Sequence, residues 1–188
     1  MKMKYIIGFA VAAAVAGNAF AEKISLFNGK DLSGWTSVAD HNYTGGYTAS
    51  EPSWSVVDGA IRATGTPFGY LKTKACDFKD YTLELEYRWW RKTEKPNSGI
   101  FVRLVSENGS FIPRCYENQL CMGCAGDILG LSGSPIAGVK PTTPFNAANP
   151  LSGISKVLLS KTTGEKPFGQ WNKMKIVVKG DSVVNIIN

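Results

Sequence analysis

Residue types able to do chemistry are concentrated between Asn97 and Gln119, which reads Asn-Ser-Gly-Ile-Phe-Val-Arg, then a polar turn holding Gly109, then Arg-Cys-Tyr-Glu-Asn-Gln. Both halves have the composition of β-strands, and the residues between them favour a hairpin. Side chains two apart in a strand share a face, so Glu117 and Gln119 point the same way. If strand pairing sets Arg103 on that face as well, a carboxylate, an amide and a guanidinium converge. Such a carboxylate can take a proton, while the other two can hold negative charge developing on oxygen. The bland alternative is a solvated strand face with an Arg103 and Glu117 cross-strand pair, stabilising by less than about 1 kcal/mol.

These residues need a sheet to hold them. Trp54-Ser-Val-Val-Asp-Gly-Ala-Ile-Arg-Ala alternates around Asp58-Gly59, a strong short-range hairpin signal. From Tyr81 to Tyr87 the alternation predicts Tyr81, Leu83, Leu85 and Tyr87 in the core and Thr82, Glu84, Glu86 and Arg88 on a polar face. That polar face is either solvent surface or the floor of a groove. One ring of the following Trp89-Trp90 pair then has to point outward unless a bulge intervenes. Ile24 to Trp35 reads as a strand, an Asn28-Gly29 turn and a core tryptophan; Tyr70 to Thr73 reads as a strand; Trp171 to Asn188 reads as two strands around Gly180-Asp181. Val38 to Ser53, with His41, Tyr43 and Tyr47, is a polar loop. The Gly, Ser and Pro-rich region from Gln119 to about Pro150 reads as a long connection in which Asp127 either forms a turn or lines a site. No segment after residue 21 sustains the apolar period of a helix, so the chain is all-β. It ends inside its last strand, which predicts a C-terminal truncation with closing strands missing.

The first 21 residues carry Lys2 and Lys4, an apolar run from Tyr5 to Ala16 and then Ala19-Phe20-Ala21, the pattern of a secretory signal peptide cut after Ala21. The run is shorter than the roughly 20 residues that span a bilayer, and no transmembrane segment is expected. The rest, residues 22–188, suits one domain of an exported, periplasmic or secreted protein. Without the leader the formal charge falls from +6 to +4, 19 basic residues against 15 acidic. The positive charges are scattered, which argues against a nucleic-acid partner. Cys76, Cys115, Cys121 and Cys124 in an exported chain point to disulfides. Three connectivities are open, and Cys115 with Cys121 or Cys124 looks easier than the small Cys121–Cys124 ring. With His41 the only histidine, a site of several histidines is excluded, whereas an oxygen-ligated divalent cation is the one cofactor left open.

Leu-Phe-Asn-Gly-Lys-Asp-Leu-Ser-Gly-Trp at 26–35, Trp54 with Val57-Asp-Gly, Leu71 with Thr73, Asp80-Tyr with Leu-Glu-Tyr-Arg, Asn97-Ser-Gly-Ile with Arg103, Tyr116-Glu-Asn-Gln, and Trp171-Asn together resemble the 3-keto-disaccharide hydrolase domain family in order and spacing. The resemblance runs from about Ile24 to the end. It implies a concanavalin A-like jelly-roll sandwich of two antiparallel sheets and, as substrates, oxidised disaccharides or other 3-keto-glycosides. An aspartate often found after the family's Glu-x-Gln motif is replaced in the Cys121-Met122 region, with Asp127 as the candidate substitute. A ketone at C3 acidifies the C2 proton and lets the glycosidic bond break by elimination, after which water adds. This chemistry assigns Glu117 as base or ligand of a divalent cation, Arg103 as its catalytic partner, and Gln119 and Asn97 as substrate-binding residues. Tyr116, Trp89 or Trp90 would stack on the sugar. The alternative is a non-catalytic carbohydrate-binding module on the same fold. A laminarinase-type site is disfavoured, since Glu84 and Glu86 have no aspartate between them.

Overall fold

The computed structural model describes residues 10–15, 22–40, 52–90, 96–107, 110–158 and 164–188. His41, Tyr43, Tyr47 and the turn residue Gly109 lie outside them. Among the described residues there are thirteen strands and no helix. In chain order they are β1 (Ala10–Val15), β2 (Glu22–Ser25), β3 (Trp35–Asp40), β4 (Trp54–Val57), β5 (Ala60–Ala63), β6 (Phe68–Thr73), β7 (Tyr81–Tyr87), β8 (Asn97–Ser106), β9 (Arg114–Cys121), β10 (Ile128–Gly130), β11 (Ser155–Val157), β12 (Asn172–Lys179) and β13 (Ser182–Ile187). All the strand pairs are antiparallel. The fold is all-β and consistent with a jelly-roll sandwich. The chain divides into two compact units, residues 1–93 with 166–188, and residues 94–165.

In the first unit a five-stranded sheet runs β13-β12-β7-β1-β2. Its register sets Leu85 opposite Met174 and Leu83 opposite Ile176, which puts one apolar row of each strand on a common face. Leu83, Leu85, Tyr87, Met174, Ile176 and Val178 are all buried, as the period-2 pattern requires. The opposite face pairs Glu84 with Lys175 and Glu86 with Lys173. These four side chains, with Ser25 and Asn28, line an open groove of about 880 Å³. The Lys175 and Glu84 ion pair at 2.8 Å is half exposed and contributes little to stability. Ala10–Val15, inside the run read from sequence as a leader, is seated as β1 between β2 and β7. The hairpin expected at Asp58-Gly59 is present, with φ of 52° and 72° at the two turn residues, the left-handed pair that suits a tight β-hairpin. Trp89 is buried and meets Tyr87 edge to face at 6.0 Å, while Trp90 is the outward ring. The Arg88 guanidinium lies over Trp90 at 5.0 Å and over Trp171 at 4.7 Å.

The second unit is built on a four-stranded sheet in the order β11-β10-β9-β8. Strands β10 and β11 arise within and just after the region read from sequence as one long connection. At three residues each they are too short for a period-2 pattern to register, and they exist because β9 supplies a ladder for them. Ile112, Cys115, Leu129 and Leu131 form the apolar cluster of this unit, with Phe101, Phe111 and Ile154 packed against it.

Candidate active site

Pairing in the second unit places Glu117 directly between Phe101 of β8 and Leu129 of β10, and Leu129 in turn opposite Lys156 of β11. Directly opposed residues share a face, so Phe101, Glu117, Leu129 and Lys156 form one row across four strands. The next row holds Gly99 opposite Gln119. Asp127 continues it, because its carbonyl accepts the Gln119 amide at 2.8 Å while the Gln119 carbonyl accepts the Gly126 amide at 2.8 Å. Glu117 and Gln119 do share a face, as their spacing requires.

Two side chains lean from the first row into the second. A Cβ added at Gly99 would lie 2.6 Å from Glu117 Cδ and closer still to Cγ and Oε1, so the carboxylate occupies the space that the glycine leaves. Gly99 has an ordinary strand conformation; its missing side chain, rather than its backbone freedom, is what the site uses. On the far side, Lys156 Nζ lies 3.1 Å from Asp127 Oδ2, with the Asp127 side chain only 6% exposed and that of Lys156 34% exposed. The anion is thus anchored inside, and the ammonium reaches the surface.

Glu117, held between two apolar neighbours, loses water that would stabilise its charge. Burial therefore pushes its carboxyl up from 4.5 to about 7, and the Lys156 ammonium offsets part of that rise. A carboxyl titrating near neutrality is poised as a general base. The buried Cys115 thiol is pushed well above its usual range by burial and by Glu117, so it stays protonated and unreactive.

Other residues expected in the site are placed differently. The β8–β9 ladder holds as far as Val102 opposite Tyr116 and resumes only at Ser106 opposite Arg114. Three residues of β8 therefore oppose one of β9, and Arg103 begins this bulge with φ of 54°. The regular pairing that would have set Arg103 beside Glu117 stops one residue short of it. Tyr116 alternates onto the opposite face from Glu117, where its hydroxyl donates to the Pro135 carbonyl at 2.8 Å. Trp89 is 2% exposed and is a core residue, so it offers no ring face to a sugar. Asn97, opposite Cys121, is exposed on the Gln119 face one row further along. Gln119 is buried, and its side-chain oxygen accepts the Leu120 amide at 3.1 Å.

Cysteine pairing also departs from expectation. Cys121 and Cys124 form the disulfide, and Cys115 and Cys76 are free. A tight turn in which the Cys124 amide donates to the Cys121 carbonyl brings the two Cα atoms to 5.1 Å, inside the range a disulfide spans. Among the described residues no cluster of three or more His, Cys, Asp or Glu side chains could hold a metal. The second carboxylate on the face, Asp127, is paired with the Lys156 ammonium.

Comparison with known sequences decides the family. A family model described as 3-keto-alpha-glucoside-1,2-lyase-like domain matches residues 22–188. The chain belongs to that family. It is also similar to a 3-keto-disaccharide hydrolase of Bacteroides thetaiotaomicron, 26% identical over 174 residues, which is 86% of this chain and 54% of the relative. The chain thus spans about half the length of that curated relative. As a 3-keto-alpha-glucoside-1,2-lyase-like domain, it carries on one sheet face a near-neutral carboxyl, an amide and an anchored ammonium. Sequence reasoning missed Lys156 and left Asp127 undecided, since neither belongs to a recognisable motif and both reach the face only through three-residue strands. The Gly in Asn97-Ser-Gly was visible as part of a motif, but its role became readable only from the Glu117 rotamer.

Proposed function

We propose that the chain cleaves 3-keto-glycosides by elimination followed by addition of water, with Glu117 as the base. The observation that carries this reading is a carboxylate seated over Gly99, desolvated by Phe101 and Leu129, and titrating near pH 7. In the first step Glu117 takes the proton on C2. The C2–H electron pair forms C2=C3, and the ketone π pair moves to the C3 oxygen. Collapse of that enolate restores the ketone and moves the C2=C3 pair to C1=C2, expelling the aglycone oxygen, which takes up a proton. Water then adds across C1=C2, so that the sum is hydrolysis. A lyase-like family name and a relative named as a hydrolase are both compatible with such a sequence. Gln119 NH₂ and Asn97 are the sugar-binding groups, and the first 21 residues act as an export leader cut after Ala21.

A direct test incubates the protein with a 3-keto-glucoside beside its unoxidised parent, with and without a chelator. Cleavage of the keto sugar alone, lost in Glu117→Gln, is the expected result, and sensitivity to the chelator would add a divalent cation to the site. Binding of both sugars with turnover of neither would make the domain a carbohydrate-binding module instead.

A further inference from the structure

We infer that Lys156 is a further catalytic residue, whose ammonium, anchored by Asp127, binds the C3 oxygen and stabilises the enolate formed when Glu117 removes the C2 proton. The inference rests on the proposed 3-keto-glycoside chemistry. Its observations are the common row of Glu117 and Lys156, their shared lean toward the Gly99–Gln119–Asp127 row, and the contrast between a buried Asp127 and a partly exposed Lys156.

The spacing suits the task. Two strand separations put the Glu117 and Lys156 backbones about 9 to 10 Å apart, with the Leu129 side chain between them. A base on C2–H and a donor on the C3 oxygen, each at hydrogen-bond reach of about 3 Å, span roughly 8 Å through C2, C3 and the oxygen. A lysine stem covers the difference. The Asp127 contact fixes that stem without burying the ammonium, so the cation is held ready before the enolate forms. Such an arrangement offers the developing oxyanion an ammonium donor, its charge shared with Asp127, where Gln119 and Asn97 offer only neutral amides. The groups that face Glu117 in this arrangement are Lys156, Asp127 and the protonated Cys115, with Arg103 in the adjoining bulge of β8.

The test separates enolate formation from aglycone release by using 3-keto-1,5-anhydroglucitol, a 3-keto sugar whose C1 carries the ring oxygen but no aglycone. In D₂O, removal and return of the C2 proton replaces hydrogen with deuterium at C2, read by mass and by proton NMR. Wild-type protein is expected to catalyse this exchange. Lys156→Met, and the double variant Lys156→Met with Asp127→Asn that leaves no unpaired buried carboxylate, are expected to lose about 100-fold or more of it while still unfolding cooperatively. Lys156→Arg, which keeps charge and ion pair, is expected to stay within about tenfold of wild type. Exchange at the wild-type rate in either folded Lys156→Met variant would overturn the assignment. So would normal exchange with selective loss of cleavage for poorly departing alcohols, which would make Lys156 a proton donor to the aglycone. Absence of exchange in the wild type itself would sink the 3-keto-glycoside reading rather than this one alone.

Discussion

Glu117 ties activity and stability together with opposite signs. Its carboxyl rises from 4.5 to about 7 because Phe101 and Leu129 displace water from it. The folded state therefore favours the protonated form. Below about pH 4.5 the group costs nothing; as pH rises to about 7 the folded protein loses stability, on the order of 3 kcal/mol at the plateau. Activity in the proposed reaction runs the other way, since there only the ionised form accepts the C2 proton, so kcat/KM should climb to a plateau above pH 7. Glu117→Gln should abolish turnover yet raise stability over wild type by about 2 to 3 kcal/mol at pH 8 and not at all at pH 4, measured by denaturant unfolding at the two pH values. Gly99→Ala is a sharper probe. Alanine suits a strand better than glycine, but its Cβ would occupy the place of the Glu117 carboxylate. It should lower kcat/KM at least tenfold and shift the activity profile toward acid, as the displaced carboxyl regains water.

At the scale of elements, the first unit depends on the matched rows of β7 and β12. Ile176, fully buried opposite Leu83, should cost about 2 to 5 kcal/mol on truncation to alanine, visible as a lower denaturant midpoint. Trp89→Ala should behave likewise, costing about 3 to 5 kcal/mol through a core cavity while leaving KM unchanged in the protein that remains folded. Strand β1 lies between β7 and β2 along six and four residue pairs respectively. Removal of residues 1–21 would open the β7 edge from Tyr81 to Glu86 and take from β2 the strand it pairs with. Hydrogen exchange should therefore be faster at Tyr81–Tyr87 in a chain beginning at Glu22 than in the full chain; equal protection would show that another segment fills the place.

For the molecule as a whole, the all-β architecture and family membership are what the fold and the sequence comparison share, while the proposed site lies on the four-stranded sheet of the second unit. One face of that sheet carries both the apolar cluster that desolvates Glu117 and the ion pair that anchors Lys156. In the proposed reaction the C2 proton must be acidic, so an unoxidised glycoside should bind without turnover. Comparing product release from matched oxidised and unoxidised glucosides checks this, and equal cleavage of both would contradict it.

The sequence alone determined what is local. Period-2 alternation in Tyr81–Tyr87 and around Asp58-Gly59 named strands, core faces and a hairpin turn, because side-chain direction in a strand depends only on position. The same rule put Glu117 and Gln119 on one face. The motifs carried the family. Tertiary structure decided what depends on partners distant in the chain. A bulge after Val102 removed Arg103 from the expected register, and alternation sent Tyr116 to the far face to meet Pro135. Cys121 paired with Cys124 because a turn brought their Cα atoms within reach. Lys156 and Asp127 joined Glu117 only because two three-residue strands, each too short to be read by itself, found a ladder on β9.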